Sequence, residues 1–73
     1  MPNKYPFNKF PENLKALRKS YGLTQYELAN MLEITQQCIS EWELNKTEPT
    51  LTYLWRLADI FETTIDSLCG RED

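Results

Sequence analysis

The stretch GLTQYELANMLEITQQCISEWE, Gly22 to Glu43, decides how this chain is read. Thr24 stands three residues before Glu27, the spacing of a capping box, in which each side chain satisfies an exposed backbone donor of the other residue. A helix is therefore predicted to begin at Gln25, with Leu28, Ala29 and Leu32 as its inner stripe. Thr35 repeats the capping role and opens a second helix running through Glu43. Ile39 and Trp42 share one face of it, and Gln36, Gln37, Ser40 and Glu41 point elsewhere. Only Glu33, Ile34 and Thr35 separate the two helices, too little chain for ordinary antiparallel packing. They must cross steeply, with the small Ala29 where they come closest, and the outer face of the second helix stays free.

Helical periodicity continues on both sides. Phe10, Leu14, Leu17 and Tyr21 step by four, three and four residues, Pro11 suits a first turn, and Gly22 is a natural stop. Downstream, Leu44 to Pro49 reads as a loop. Thr50 is placed to cap a fourth helix carrying Leu51, Leu54, Leu57, Ala58 and Phe61, with Trp55 on its margin. Thr64 precedes a short last helix, Ile65 to Cys69, closed by Gly70. The expected architecture is all-α, five helices in one domain over residues 10–69. An N-terminal arm (1–9), in which Tyr5 and Phe7 are unusual tail residues, and a C-terminal tail (70–73) flank it.

Composition sets the outer bounds. Seventy-three residues hold one small core, since a chain of this size buries only roughly 60% of its unfolded surface. A second domain, a deep substrate cleft and a small-molecule ligand pocket are not expected. The absence of histidine removes the commonest general base and metal ligand, and no nucleophile with its base is visible. The chain is therefore expected not to be an enzyme and to need no cofactor or metal. Cys38 and Cys69 lack the dense spacing of a disulfide framework, no apolar run is long enough to span a membrane, and the first residues lack the apolar stretch of a signal peptide. A reduced, cytoplasmic protein is expected. Eight basic against eleven acidic side chains give a net charge of −3, which on its own argues against a nucleic-acid partner.

The segments LKALRKSYGLTQYELANMLEITQQCISEWE and EPTLTYLWRLADIF reverse that argument. The spaced pattern LR…GLTQ.ELA..L…T…IS.WE resembles the helix-turn-helix DNA-binding proteins of the phage repressor and Cro class, the xenobiotic-response-element family, over Phe10 to Leu68. The resemblance implies a lambda-repressor-like five-helix domain whose second and third helices form the motif. It implies that Gln25 binds a phosphate at the positive end of its helix, and that Thr35 opens a recognition helix lying in the major groove. Gln36 and Gln37 would then contact base edges, since a glutamine amide can pair with adenine N6 and N7, as would Ser40 and Glu41 one turn further along, Ser by accepting or donating and Glu by accepting from cytosine N4. Cys38 could offer a thymine methyl a small apolar contact. Asn45, Lys46 and Thr47 match loop positions that contact the DNA backbone. Arg18 and Glu43 match a largely buried ion pair between the first and third helices.

The implied function is a sequence-specific transcriptional regulator, a repressor or controller protein acting on double-stranded DNA as a homodimer, with Trp55, Ile65 and Leu68 as dimer-interface candidates. The alternative, favoured by the acidic balance, is an antitoxin-like or other protein-interaction module on the same fold, with a toxin or other protein as partner. Glu33 and Glu62 depart from the family pattern by standing where glycine is usual, so each must accept a left-handed backbone or shift its turn. Lys9, Lys15, Lys19 and Lys46 would have to lie on the DNA side to offset the acids, many of which fall in the last two helices or the tail. A polarised domain with a shallow salt dependence of binding is expected.

Overall fold

The computed structural model describes residues 9–71. The readings of Tyr5, Phe7 and the acidic Glu72 and Asp73 lie outside those residues. The described chain is five helices: α1 (Phe10–Ser20), α2 (Gln25–Leu32), α3 (Gln36–Glu43), α4 (Leu51–Ile60) and α5 (Ile65–Cys69). No strand occurs among the described residues.

The helix starts follow the threonines, with one exception. Thr24 accepts from the Glu27 N–H at 3.0 Å while Glu27 Oε1 accepts from the Thr24 N–H at 2.9 Å, a complete capping box. Thr35 and Thr64 cap α3 and α5 in the same way through the Cys38 and Ser67 N–H groups. Thr50 holds the extended backbone of a cap residue, but its side chain makes no capping hydrogen bond. It caps α4 in position only.

All five helices end in one motif. A residue of positive φ follows each of them: Gly22, Glu33, Asn45, Glu62 and Gly70, with φ of 71°, 61°, 61°, 54° and 80°. In each case the next N–H reaches back to a carbonyl five residues earlier: Leu23 to Arg18, Ile34 to Ala29, Lys46 to Glu41, Thr63 to Ala58 and Arg71 to Asp66. This is the Schellman closure, which satisfies carbonyls the helix leaves orphaned. Glu33 and Glu62 thus adopt the left-handed conformation, and the turns keep their register.

Phe10, Leu14, Leu28, Leu32, Ile39, Leu57 and Leu68 are almost wholly buried and, with Trp42, Leu54 and Phe61, form one core. One residue of the α4 stripe departs from expectation. Leu51 has helical spacing yet is 66% exposed; Trp55, on the margin of the stripe, is 62% exposed. Tyr21 is partly exposed; its hydroxyl donates to the Phe61 carbonyl at 3.0 Å and its ring meets Phe61 edge-on. α1 spans the domain: Asn13 Nδ2 donates to the carbonyls of Ser67 and Leu68 near one end, and Arg18 reaches α3 near the other. Lys9, beside Gly70, lies at the α5 end. That is roughly 14 Å along the helix from Arg18 at 1.5 Å per residue. No helix among the described residues is long and apolar enough to cross a membrane.

Candidate nucleic-acid interface

α2 and α3 pack against each other; Ala29 is 1% exposed, and the buried Leu28, Leu32, Ile39 and Trp42 fix both helices to the core. Trp42 is backed by Tyr53, ring centroids 5.8 Å apart, and Arg56 lies over the other ring at 5.9 Å. Arg56 also donates to the carbonyls of Met31 and Leu32, the open end of α2. With its inner side anchored, α3 presents Gln36 and Gln37 to solvent, with Cys38, Ser40 and Glu41 half-buried beside them. Asn45, Lys46 and Thr47 follow, all exposed, and the left-handed Asn45 turns the chain away from the axis of α3.

A chain of polar contacts runs from the core to this surface. Arg18 Nε donates to Glu43 Oε2 at 2.7 Å, Nη2 donates to Oε1 at 3.1 Å, and Nη1 donates to the Leu23 carbonyl at 2.8 Å. Both side chains are buried, at 9% and 4% exposure. The hydrogen bonding of Glu43 pushes the Arg18 pKa up, burial opposes it, and the charge of Glu43 adds to the rise. Gln25 Nε2 donates to Glu43 Oε1 at 3.0 Å, and Gln36 Nε2 donates to Gln25 Oε1 at 3.0 Å.

Chemistry fixes the sense of this relay. An ionised carboxylate can only accept, so Gln25 must turn its nitrogen to Glu43; its carbonyl oxygen then faces Gln36, which must donate in turn. Separately, Gln37 Nε2 donates to Glu41 Oε2 at 3.1 Å. Thr35 is engaged locally: its hydroxyl accepts from the Cys38 N–H and donates to Cys38 Sγ.

Other expected site residues are scattered. Trp55 is exposed and Ile65 half-buried, but Leu68 has no exposed surface and belongs to the chain's own core, so it offers nothing to a partner. Asn13 and Arg56 escaped the sequence reading. Each bonds main-chain carbonyls far along the chain, and no local pattern signals such a contact. Cys38 and Cys69 are both free thiols.

Two short helices crossing through a three-residue turn, the second anchored on one side and open along a polar face, define a helix-turn-helix domain. A family model described as helix-turn-helix matches residues 14–68, and the chain belongs to that family, the repressor and Cro class its motif resembles. It is 37% identical over 65 residues to the HTH-type transcriptional activator BcrR of Enterococcus faecalis, covering 89% of this chain and 32% of that protein. It is 39% identical over 59 residues to the SPbeta prophage-derived uncharacterized HTH-type transcriptional regulator YonR of Bacillus subtilis, covering 81% and 55%. The cryptic phage CTXphi transcriptional repressor RstR of Vibrio cholerae is 35% identical over 63 residues, covering 86% and 56%. The matched stretch of the chain therefore spans from just under a third to just over half of the length of these relatives.

Proposed function

We propose that this chain reads double-stranded DNA in a sequence-specific manner and regulates transcription by occupying an operator near a promoter. The observation that carries the reading is the outer face of α3, where Gln36 and Gln37 stand exposed with their amides already oriented by Gln25 and Glu41. Side chains held in one orientation lose less freedom on binding than free ones. Gln36, Gln37 and Ser40 are assigned to base edges, Glu41 lies on the same face, and Gln25, Thr35, Asn45, Lys46 and Thr47 are assigned to the phosphate backbone. One short helix reads few base pairs, so a homodimer on two half-sites about 34 Å apart is the expected binding unit. Leu51 and Trp55, one turn apart on the outside of α4, supply exposed apolar surface for that contact, with Ile65 nearby in the chain.

Among the relatives, one is named an activator and another a repressor. Occupancy accounts for either, by recruiting or blocking polymerase according to where the operator lies. Two free thiols fit a reducing cytoplasm. A protein-interaction module is not favoured, because it leaves the two oriented glutamines without a role. Selection of bound sequences from a random duplex pool tests the reading. A two-fold symmetric consensus is expected, and the reading is lost if Gln36→Ala with Gln37→Ala binds the selected duplex as tightly as wild type.

A further inference from the structure

Gln37 and Glu41 stand one turn apart on the outer face of α3, and the amide nitrogen of Gln37 donates to the Glu41 carboxylate at 3.1 Å. A glutamine alone on a helix surface can turn its amide over and present either a donor or an acceptor. Beside an ionised carboxylate it cannot, because the carboxylate has no proton to give and the amide must turn its nitrogen inward. The carbonyl oxygen of Gln37 then points away from Glu41, with one N–H left over.

We infer that Glu41 is a positioning residue for Gln37, selecting an adenine, which offers an exocyclic amine beside N7, and rejecting guanine at the base pair that Gln37 meets. This inference rests on the DNA-reading function proposed above. In the major groove adenine presents the N6 donor and the N7 acceptor, matching an outward oxygen and one remaining N–H. Guanine presents two acceptors, O6 and N7, and thymine presents O4. An outward carbonyl oxygen faces O6 of guanine with no hydrogen between them. Cytosine offers the N4 amine alone and ranks between adenine and guanine. Gln36 reaches the same orientation by a different route, through Gln25 and the buried Glu43. Only the Gln37 orientation therefore depends on Glu41.

The test uses the full chain and a duplex selected from a random pool, with each half-site base pair replaced in turn by all alternatives and affinity measured by fluorescence anisotropy. The Gln37 base pair is the one whose preference collapses in Gln37→Ala. Wild type is expected to favour adenine over guanine there by about tenfold or more. In Glu41→Gln the neighbour can donate as well as accept, Gln37 is free to turn over, and the ratio is expected to fall to about twofold while other positions keep theirs. Removing one negative charge raises affinity for every duplex together, so the ratio is the readout. Thermal unfolding that matches wild type, expected for an isosteric change at a half-exposed site, excludes a folding effect. An unchanged ratio in Glu41→Gln overturns the inference and leaves DNA reading intact. So does a Glu41→Gln effect that persists in the Gln37→Ala background, since Glu41 would then be reading the base itself. Failure of wild type to select any duplex removes the DNA reading and this inference together.

Discussion

Gln25 and Arg18 share one oxygen of Glu43: the amide nitrogen lies 3.0 Å and the guanidinium Nη2 3.1 Å from Oε1. A structural ion pair and a polar relay to the recognition surface therefore have a common member. Stability and DNA reading are coupled there, and substitutions can separate them. Removing one partner of a buried pair strands the other charge and costs about 3 to 5 kcal/mol. Arg18→Met alone is expected to lower unfolding free energy by that amount in urea titration. Arg18→Met with Glu43→Leu should recover most of it, because apolar replacement of both partners removes the desolvation penalty. The double variant would still lose base preference at the Gln36 position, since Gln25 no longer has an acceptor to orient it. Recovery of stability with an unchanged preference would refute the relay.

Thr24 and Thr50 occupy equivalent positions before α2 and α4, yet only the Thr24 side chain bonds its helix. Thr24→Ala removes one half of a capping box and is expected to cost about 1 kcal/mol. Thr50→Ala removes no capping hydrogen bond, so a loss within about 0.5 kcal/mol is expected, the usual range for a surface change. Parallel denaturation of the two variants distinguishes them, and equal losses would contradict the assignment.

What the sequence disclosed depended on how local the signal was. Caps and helix stripes involve residues three or four apart, so Thr24, Thr35 and Thr64 mark helix starts and Leu14, Leu28 and Ile39 mark buried faces without knowledge of the fold. Periodicity identifies a stripe but not where its cover ends, which is why Leu51 shares the spacing of Leu54 and remains exposed. Leu68 shows the reverse: placed at the chain's end, it looked available to a partner, but it fills the core with α1 packed over α5. The motif put Gln36 and Gln37 on the outer face of α3, and both are exposed there. Their amide orientations come from Glu41, Gln25 and Glu43, and the last two are brought together only by the crossing of α2 and α3.

Glu33 carries a φ of 61° at the closure of α2, a conformation that costs a non-glycine residue about 1 to 2 kcal/mol. Glu33→Gly is expected to stabilise the domain by about 1 kcal/mol, because glycine gains freedom in the unfolded chain and offsets part of the relief. For a domain of this size that corresponds to a rise in Tm of roughly 4 to 8 °C. Asn45 has the same φ, but asparagine tolerates it, so Asn45→Gly should give a smaller gain. Calorimetry on both variants checks the order. A loss of stability in Glu33→Gly would mean that the glutamate makes a contact worth more than its strain.

The two thiols differ in burial and should differ in reactivity. Cys69 is 6% exposed, and burial, with the neighbouring charge of Asp66 adding to it, pushes its pKa above the ordinary thiol value. Only the thiolate attacks an alkylating reagent, so a raised pKa slows Cys69 at any pH below it, and lack of access slows it further. Cys38 is half-buried on the outer side of α3. Titration of the native protein with a chromogenic disulfide near pH 8 should therefore show one fast equivalent, from Cys38. A second should appear only at the rate at which α5 opens or after denaturant is added. Cys38→Ser should remove the fast phase and Cys69→Ser the slow one. A bulky adduct on Cys38 should also weaken operator binding by at least tenfold, since it stands between Gln37 and Ser40 on the face assigned to the groove.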